Sequence, residues 1–281
     1  MIAILGGLGA AVCWATATLC SSRSSRRMDP LVVVAWVMLI GLLIAGPATA
    51  LSGIPPRLGA QAGWLALAGA GNVGGLLLSY RAMRIGQVSL VAPLVSTEGA
   101  IAAVIALLRG ESVASSAGVT LAVIATGICL ASVPNDRSPQ TRASDPEAVA
   151  LAVLAALSFG AGLYATGEAG HALPVSWAVL AARLVGTVTL ALPLALRGRL
   201  KLVPGTAKLL IASGVGEVFG FYSYTLGARH GIAVAAVLSS QFAVLSVLGA
   251  YLLFSERLAR IQLLGVITVV AGVAVLSALR G

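Results

Sequence analysis

The sequence predicts an all-α integral membrane protein: ten transmembrane helices forming two five-helix repeats of inverted topology. Three observations carry that prediction: a deficit of charge, the number of apolar segments, and a self-match at one fixed offset. Of 281 residues, 59% are hydrophobic and 10% are charged, and the mean hydropathy is +1.01. Soluble domains carry about a quarter charged residues, so this chain lacks the polar groups to coat a globular surface. High apolar content with low charge also excludes disorder, and the 33 glycines keep no collagen-like period.

A helix needs about 20 apolar residues to cross a hydrocarbon core about 30 Å thick. Ten such segments follow in order, at Ile2–Cys20, Pro30–Leu51, Ala60–Ala82, Val88–Leu108, Val113–Val133, Ala148–Thr166, Val175–Leu196, Thr206–Ala228, Ile232–Phe254 and Ile261–Leu279. They are too long, and too uniformly apolar, for the alternating strands of a membrane β-barrel. The first has no basic stretch before it and reads as a helix rather than a signal peptide. Between the fifth and sixth lies the one long polar connection, whose Pro, Ser and Asp content marks a flexible linker. The chain therefore divides into a first repeat at residues 1–133, a linker at 134–147 and a second repeat at 148–281.

Sliding the chain by 145 residues superposes the two halves. Trp14 falls on Phe159, Gly69-x-Gly71-x-Val73-x-Gly75 on Gly214-x-Gly216-x-Val218-x-Gly220, Arg84-x-Gly86 on Arg229-x-Gly231, and Glu111 on Glu256. Five spans per copy is an odd number, so the second copy enters the membrane inverted. That plan is shared by many secondary transporters, whose solute site lies at the repeat interface near the midplane. Fused repeats supply their own pseudo-dimer, which leaves monomer and homodimer both open.

Of the 18 basic residues, thirteen (Arg23, Arg26, Arg27, Arg81, Arg84, Arg137, Arg142, Arg197, Arg199, Lys201, Lys208, Arg257 and Arg260) belong to the side that bears the linker. Four (Arg57, Arg109, Arg229 and Arg280) belong to the side of the termini, and Arg183 lies within a span. The positive-inside rule then puts the linker in the cytoplasm of a bacterial-type inner membrane and both termini outside it. The net charge of +9 is an orientation signal, and no basic stretch interleaved with aromatics suggests a nucleic-acid partner. Cys13, Cys20 and Cys129 have neither disulfide nor metal spacing.

Intramembrane ionisable groups are costly and face a cavity or a partner. Three occur: Glu98 and Glu217, near the middle of segments 4 and 8, and Arg183 in segment 7. The carboxylates are candidate solute and proton-coupling groups; alternatively, one of them forms a buried ion pair with Arg183. Asn72, opposite Glu217 in the repeat, and Gln241, opposite Ser96, add hydrogen-bonding groups at the same level, with helix–helix adhesion as their alternative role. Glu217, Phe221 and Tyr224 share one helical stripe, suited to an organic cation, to a flat apolar solute or to packing. Trp14 and Tyr164 are expected to close the cavity beside them. Pro93 removes a backbone hydrogen bond next to Glu98, giving a gating hinge or a simple bend. Glu111 and Glu256 are expected at the N-terminal dipoles of segments 5 and 10, and Arg84 and Arg229 as loop anchors.

Two other patterns fail their context. Gly69–Gly74 spells G-x-G-x-x-G but lies in an apolar span without a preceding strand, so it is no dinucleotide fingerprint. His171 and His230 stand apart from any nucleophile or metal cluster, and nothing in the chain reads as catalytic or calls for a cofactor.

The element Ala82-Met83-Arg84-Ile85-Gly86, its relative Gly227-Ala228-Arg229-His230-Gly231, and the segment ends Leu107–Glu111 and Leu253–Arg257 resemble the drug/metabolite transporter superfamily, in the branch with two EamA domains. The resemblance covers almost the whole chain. It implies a ten-helix permease whose central cavity is walled by segments 1, 3, 4, 6, 8 and 9. Its implied solutes are amino acids, amines, related metabolites or drugs, commonly exported.

Overall fold

A computed structural model describes residues 1–85, 91, 94–131, 146–254, 261, 263–265, 267, 268, 271, 272 and 275. The described residues form helices joined by turns and loops, with no strand among them. The helices are α1 (Ile2–Ser25), α2 (Pro30–Leu51), α3 (Ala62–Ile85), α4 (Glu98–Leu108), α5 (Ser115–Ala131), α6 (Pro146–Ala172), α7 (Val175–Leu196), α8 (Ala207–Ala228), α9 (Ile232–Ser239) and α10 (Phe242–Phe254). Among the described residues, six helices are long and apolar enough to cross a membrane, and shorter apolar helices accompany them. Their outer faces carry Leu5, Val12, Leu43, Leu108, Leu196 and Phe219, all about half exposed or more, as lipid-facing side chains should be.

Local chemistry sets several helix ends. Asp29 caps α2, its carboxylate accepting from the Leu31 amide at 2.9 Å, and Pro30 follows at the first helical position. In α7 the ladder widens to a π turn at Thr187–Ala191, just before Pro193, which has no N–H to give to the preceding turn. The first and sixth segments run further than the apolar pattern suggests, to Ser25 and Ala172, because helical hydrogen bonding continues past the hydrophobic core.

The fourth and ninth spans are interrupted, at Thr97 and at Ser240–Gln241. At both breaks hydroxyls bond back to the preceding turn: Thr97 to the Leu94 carbonyl (2.7 Å), Ser239 and Ser240 to Ala236 (2.9 and 3.1 Å). Such back-bonds compete with the helix ladder and bend it. Gly99 packs directly on Ser240 and the Ala236 carbonyl, so the broken helices cross at their breaks. Pro93, read as a gating hinge or a simple bend, lies outside the described residues.

Close helix contacts recur at the 145-residue spacing. A β-carbon on Gly216 of α8 would come within 2.7 Å of the Cys13 carbonyl of α1, and one on Gly71 of α3 within 2.6 Å of the Ser158 carbonyl of α6. Trp14 lies against Gly220 as Phe159 lies against Gly75, and Arg183 against Gly41 as Met38 against Gly186. The pairs α1–α8 and α3–α6, packed backbone to backbone through small residues, flank the centre of the molecule.

Candidate functional site

Between those two pairs lies a cavity. Its wall takes Trp14 and Thr18 from α1, Asn72, Leu76, Ser79, Tyr80 and Met83 from α3, Val95 and Glu98 from the broken fourth span, Phe159 and Leu163 from α6, Glu217 and Phe221 from α8, and Phe242 from α10. Along α3 the lining descends from mid-helix Asn72 to Met83, two residues from the end on the linker side. At the opposite end Tyr224, fully buried, donates to the Leu163 carbonyl (2.9 Å) and ties α8 to α6.

The two acids stand in different surroundings. Glu217 faces the guanidinium of the completely buried Arg183, with Nη2 3.5 Å from Oε2, and the Asn72 side chain bonds to the same carboxylate. Arg183 is not part of the cavity wall. Its other terminal nitrogen is directed at the Met38 sulfur (3.7 Å), and its central carbon lies 5.2 Å from the centre of the Phe221 ring. Glu98 is 5% exposed and has no hydrogen-bond or ion-pair partner among the described residues; the charge that acts on it is that of Glu217. The wall thus carries two carboxylates against one guanidinium set behind it.

Of the residues singled out in the sequence, Glu98, Glu217, Asn72, Trp14 and Phe221 meet in this wall, while three others stand outside it. Tyr224 shares the stripe of Glu217 and Phe221 but is not part of the wall, lying 6.0 Å from Trp14 ring to ring. Tyr164 packs edge-on against Trp64 and donates to Glu168 at 2.6 Å. Gln241 lies in the break of the ninth span, buried, its amide nitrogen without a partner. Sequence reading missed Tyr80, which bonds with Ser21 and Ser213 where α1 meets α8, and Phe242, whose segment carried no polar marker.

Devices also gather on the side of the termini. Glu111 does not serve the helix that follows it: its carboxylate caps α9 instead, accepting from Ile232 (3.1 Å) and Ala233 (3.2 Å). Arg229 donates to the carbonyls of Gly170 (2.6 Å) and Leu173 (2.5 Å) at the end of α6. Glu256 lies outside the described residues.

The EamA-like transporter family matches residues 1–133 and, a second time, residues 147–278. The chain belongs to this family. EamA-like proteins are membrane transporters rather than enzymes, which agrees with a cavity among apolar helices. Among solved structures 22 chains match. One, titled only as the crystal structure of a protein, is 19% identical, with a TM-score of 0.77 over 99% of this chain and 96% of its own. At that identity the likeness of this EamA-like chain is one of fold. No curated protein matches it.

Proposed function

We propose that this EamA-like protein is a secondary transporter that moves a small organic solute, such as an amino acid, an amine or a related metabolite, across the inner membrane by alternating access. The working molecule is a ten-helix inverted repeat with units at 1–133 and 148–281 joined by the linker 134–147. Its solute site is the central cavity, and Glu98 exchanges a proton against the solute. The observation that carries this reading is the lone carboxylate: among the described residues Glu98 sits in a cavity wall with no base to neutralise it, a costly arrangement at membrane depth unless a ligand or proton uses it. Recurrence of the helix contacts at the repeat spacing supports the inverted plan, and the broken fourth and ninth spans are of the kind that line transporter sites. Glu217, held by Arg183, keeps its charge through the cycle and positions Asn72.

The sign of the pH effect follows from charge. Protonation of Glu98 removes the negative charge that a cationic solute needs, so binding of such a solute weakens as pH falls. A thermal-shift screen of purified protein against amino acids, amines and nucleosides across pH identifies a ligand, whose flux is then followed in proteoliposomes. Glu98→Gln is expected to flatten the pH dependence and abolish flux driven by an imposed proton gradient. Flux and pH profile unchanged in Glu98→Gln would refute the coupling; flux unaffected by any proton gradient would identify a facilitator.

A further inference from the structure

Within the cavity reading just given, we infer the charge class of the solute: a flat, largely apolar organic monocation, an amine without a carboxylate. Five of the chain's fourteen aromatic residues (Trp14, Tyr80, Phe159, Phe221 and Phe242) line this one cavity. Trp14 and Phe159 enter from opposite repeats at matching positions, each lying on a glycine of the facing helix, so aromatic surface flanks the space from two sides. Aromatic faces attract organic cations and stack on flat ones. Glu98 supplies an unshared anion, and the buried Asn72 carbonyl oxygen, also without a partner, supplies a second acceptor for an ammonium hydrogen. A zwitterion would bring its own carboxylate into a wall that, among the described residues, has two acids and no base, because Arg183 is behind Glu217 and engaged by it. Burial of that unpaired carboxylate is strongly unfavourable.

Three near-isosteric probes isolate charge: phenethylamine, phenylalanine and 2-phenylethanol, with binding followed by calorimetry on the purified full-length protein. Phenethylamine is expected to bind roughly tenfold or more tightly than the alcohol, as for a hydrogen bond to a charged group. Phenylalanine is expected to bind more weakly than the amine, and Glu98→Gln to remove the amine's advantage. Equal or tighter binding of phenylalanine or the alcohol, or no binding of the amine, would overturn the inference. The transport reading survives that result if another solute still shows flux sensitive to Glu98→Gln, and falls with it if none does.

A separate observation concerns the two ends of the molecule. Arg229 bonds to the end of α6 on the termini side, whereas its repeat counterpart Arg84 is exposed and makes no hydrogen bond or ion pair among the described residues. The mirror of the Tyr224–Leu163 contact is Ser79 and Thr18, and both of these line the cavity toward the linker side. The geometry points to a pair of alternating latches. With the linker side open, Arg229 caps α6; with the termini side open, Arg229 lets go and Arg84 caps α1 through the carbonyls of Ser25 and Met28.

The test uses single reporter cysteines in a background with Cys13, Cys20 and Cys129 replaced. Thr225→Cys reports the buried termini-side seam and Ser79→Cys the linker-side cavity. Arg229→Ala is expected to speed maleimide labelling at 225 and slow it at 79, and Arg84→Ala to do the reverse. Each change is roughly fivefold, the net worth of about one hydrogen bond. Arg229→Lys restores only part, since an ammonium lacks the planar fork that spans two carbonyls. Both reporters moving together, or neither moving, would overturn the latch.

Discussion

Arg183 and Glu217 form a buried ion pair whose repeat counterparts, Met38 and Asn72, carry no charge. Removing one partner strands the other in a low-dielectric interior, which typically costs about 3–5 kcal/mol, whereas replacing both is often tolerated. Arg183→Met is therefore expected to lower the melting temperature sharply, and Arg183→Met with Glu217→Gln to recover most of the loss. A double-mutant cycle in detergent measures the coupling, and additive losses would show that the pair is not a unit. Sequence placed all three charges within spans but left open which acid meets the arginine. Position along a helix is legible from residue count, while rotation about its axis depends on how neighbours pack. Tyr224 shows the same limit: it follows Phe221 by about one turn of α8 yet is not part of the cavity wall.

At the scale of elements, the apolar segments and the repeat were legible because both are periodic signals in one dimension. The breaks in the fourth and ninth spans were not. Ser and Thr within an apolar run are compatible with an unbroken helix, and only the crossing of Gly99 over Ser240 favours interruption there. The glycines common to both repeats have a definite role: the carbonyls of Cys13 and Ser158 leave no room for a β-carbon at Gly216 or Gly71. Glu111 illustrates a partner that chain order cannot reveal, since it caps α9, more than a hundred residues away.

For the whole molecule, the excess of basic residues on the linker side predicts, by the positive-inside rule, a cytoplasmic linker with Gly281 outside the cytoplasm. Alkaline phosphatase fused after Gly281 is expected to be active in whole cells, and green fluorescent protein at the same place to be dark. The opposite pair of results would reverse the orientation.

By itself the sequence determined the class, the family resemblance, the doubling and a short list of membrane-buried polar residues. Hydrophobic length, charge scarcity and repeat offset are properties of the chain before it folds. Only the tertiary structure decided that, among the described residues, Glu98 stands unpaired while Glu217 is held by Arg183, that five aromatics share one cavity, and that Arg229 is engaged where Arg84 is not. Those distinctions arise from helix rotation and from contacts between distant segments.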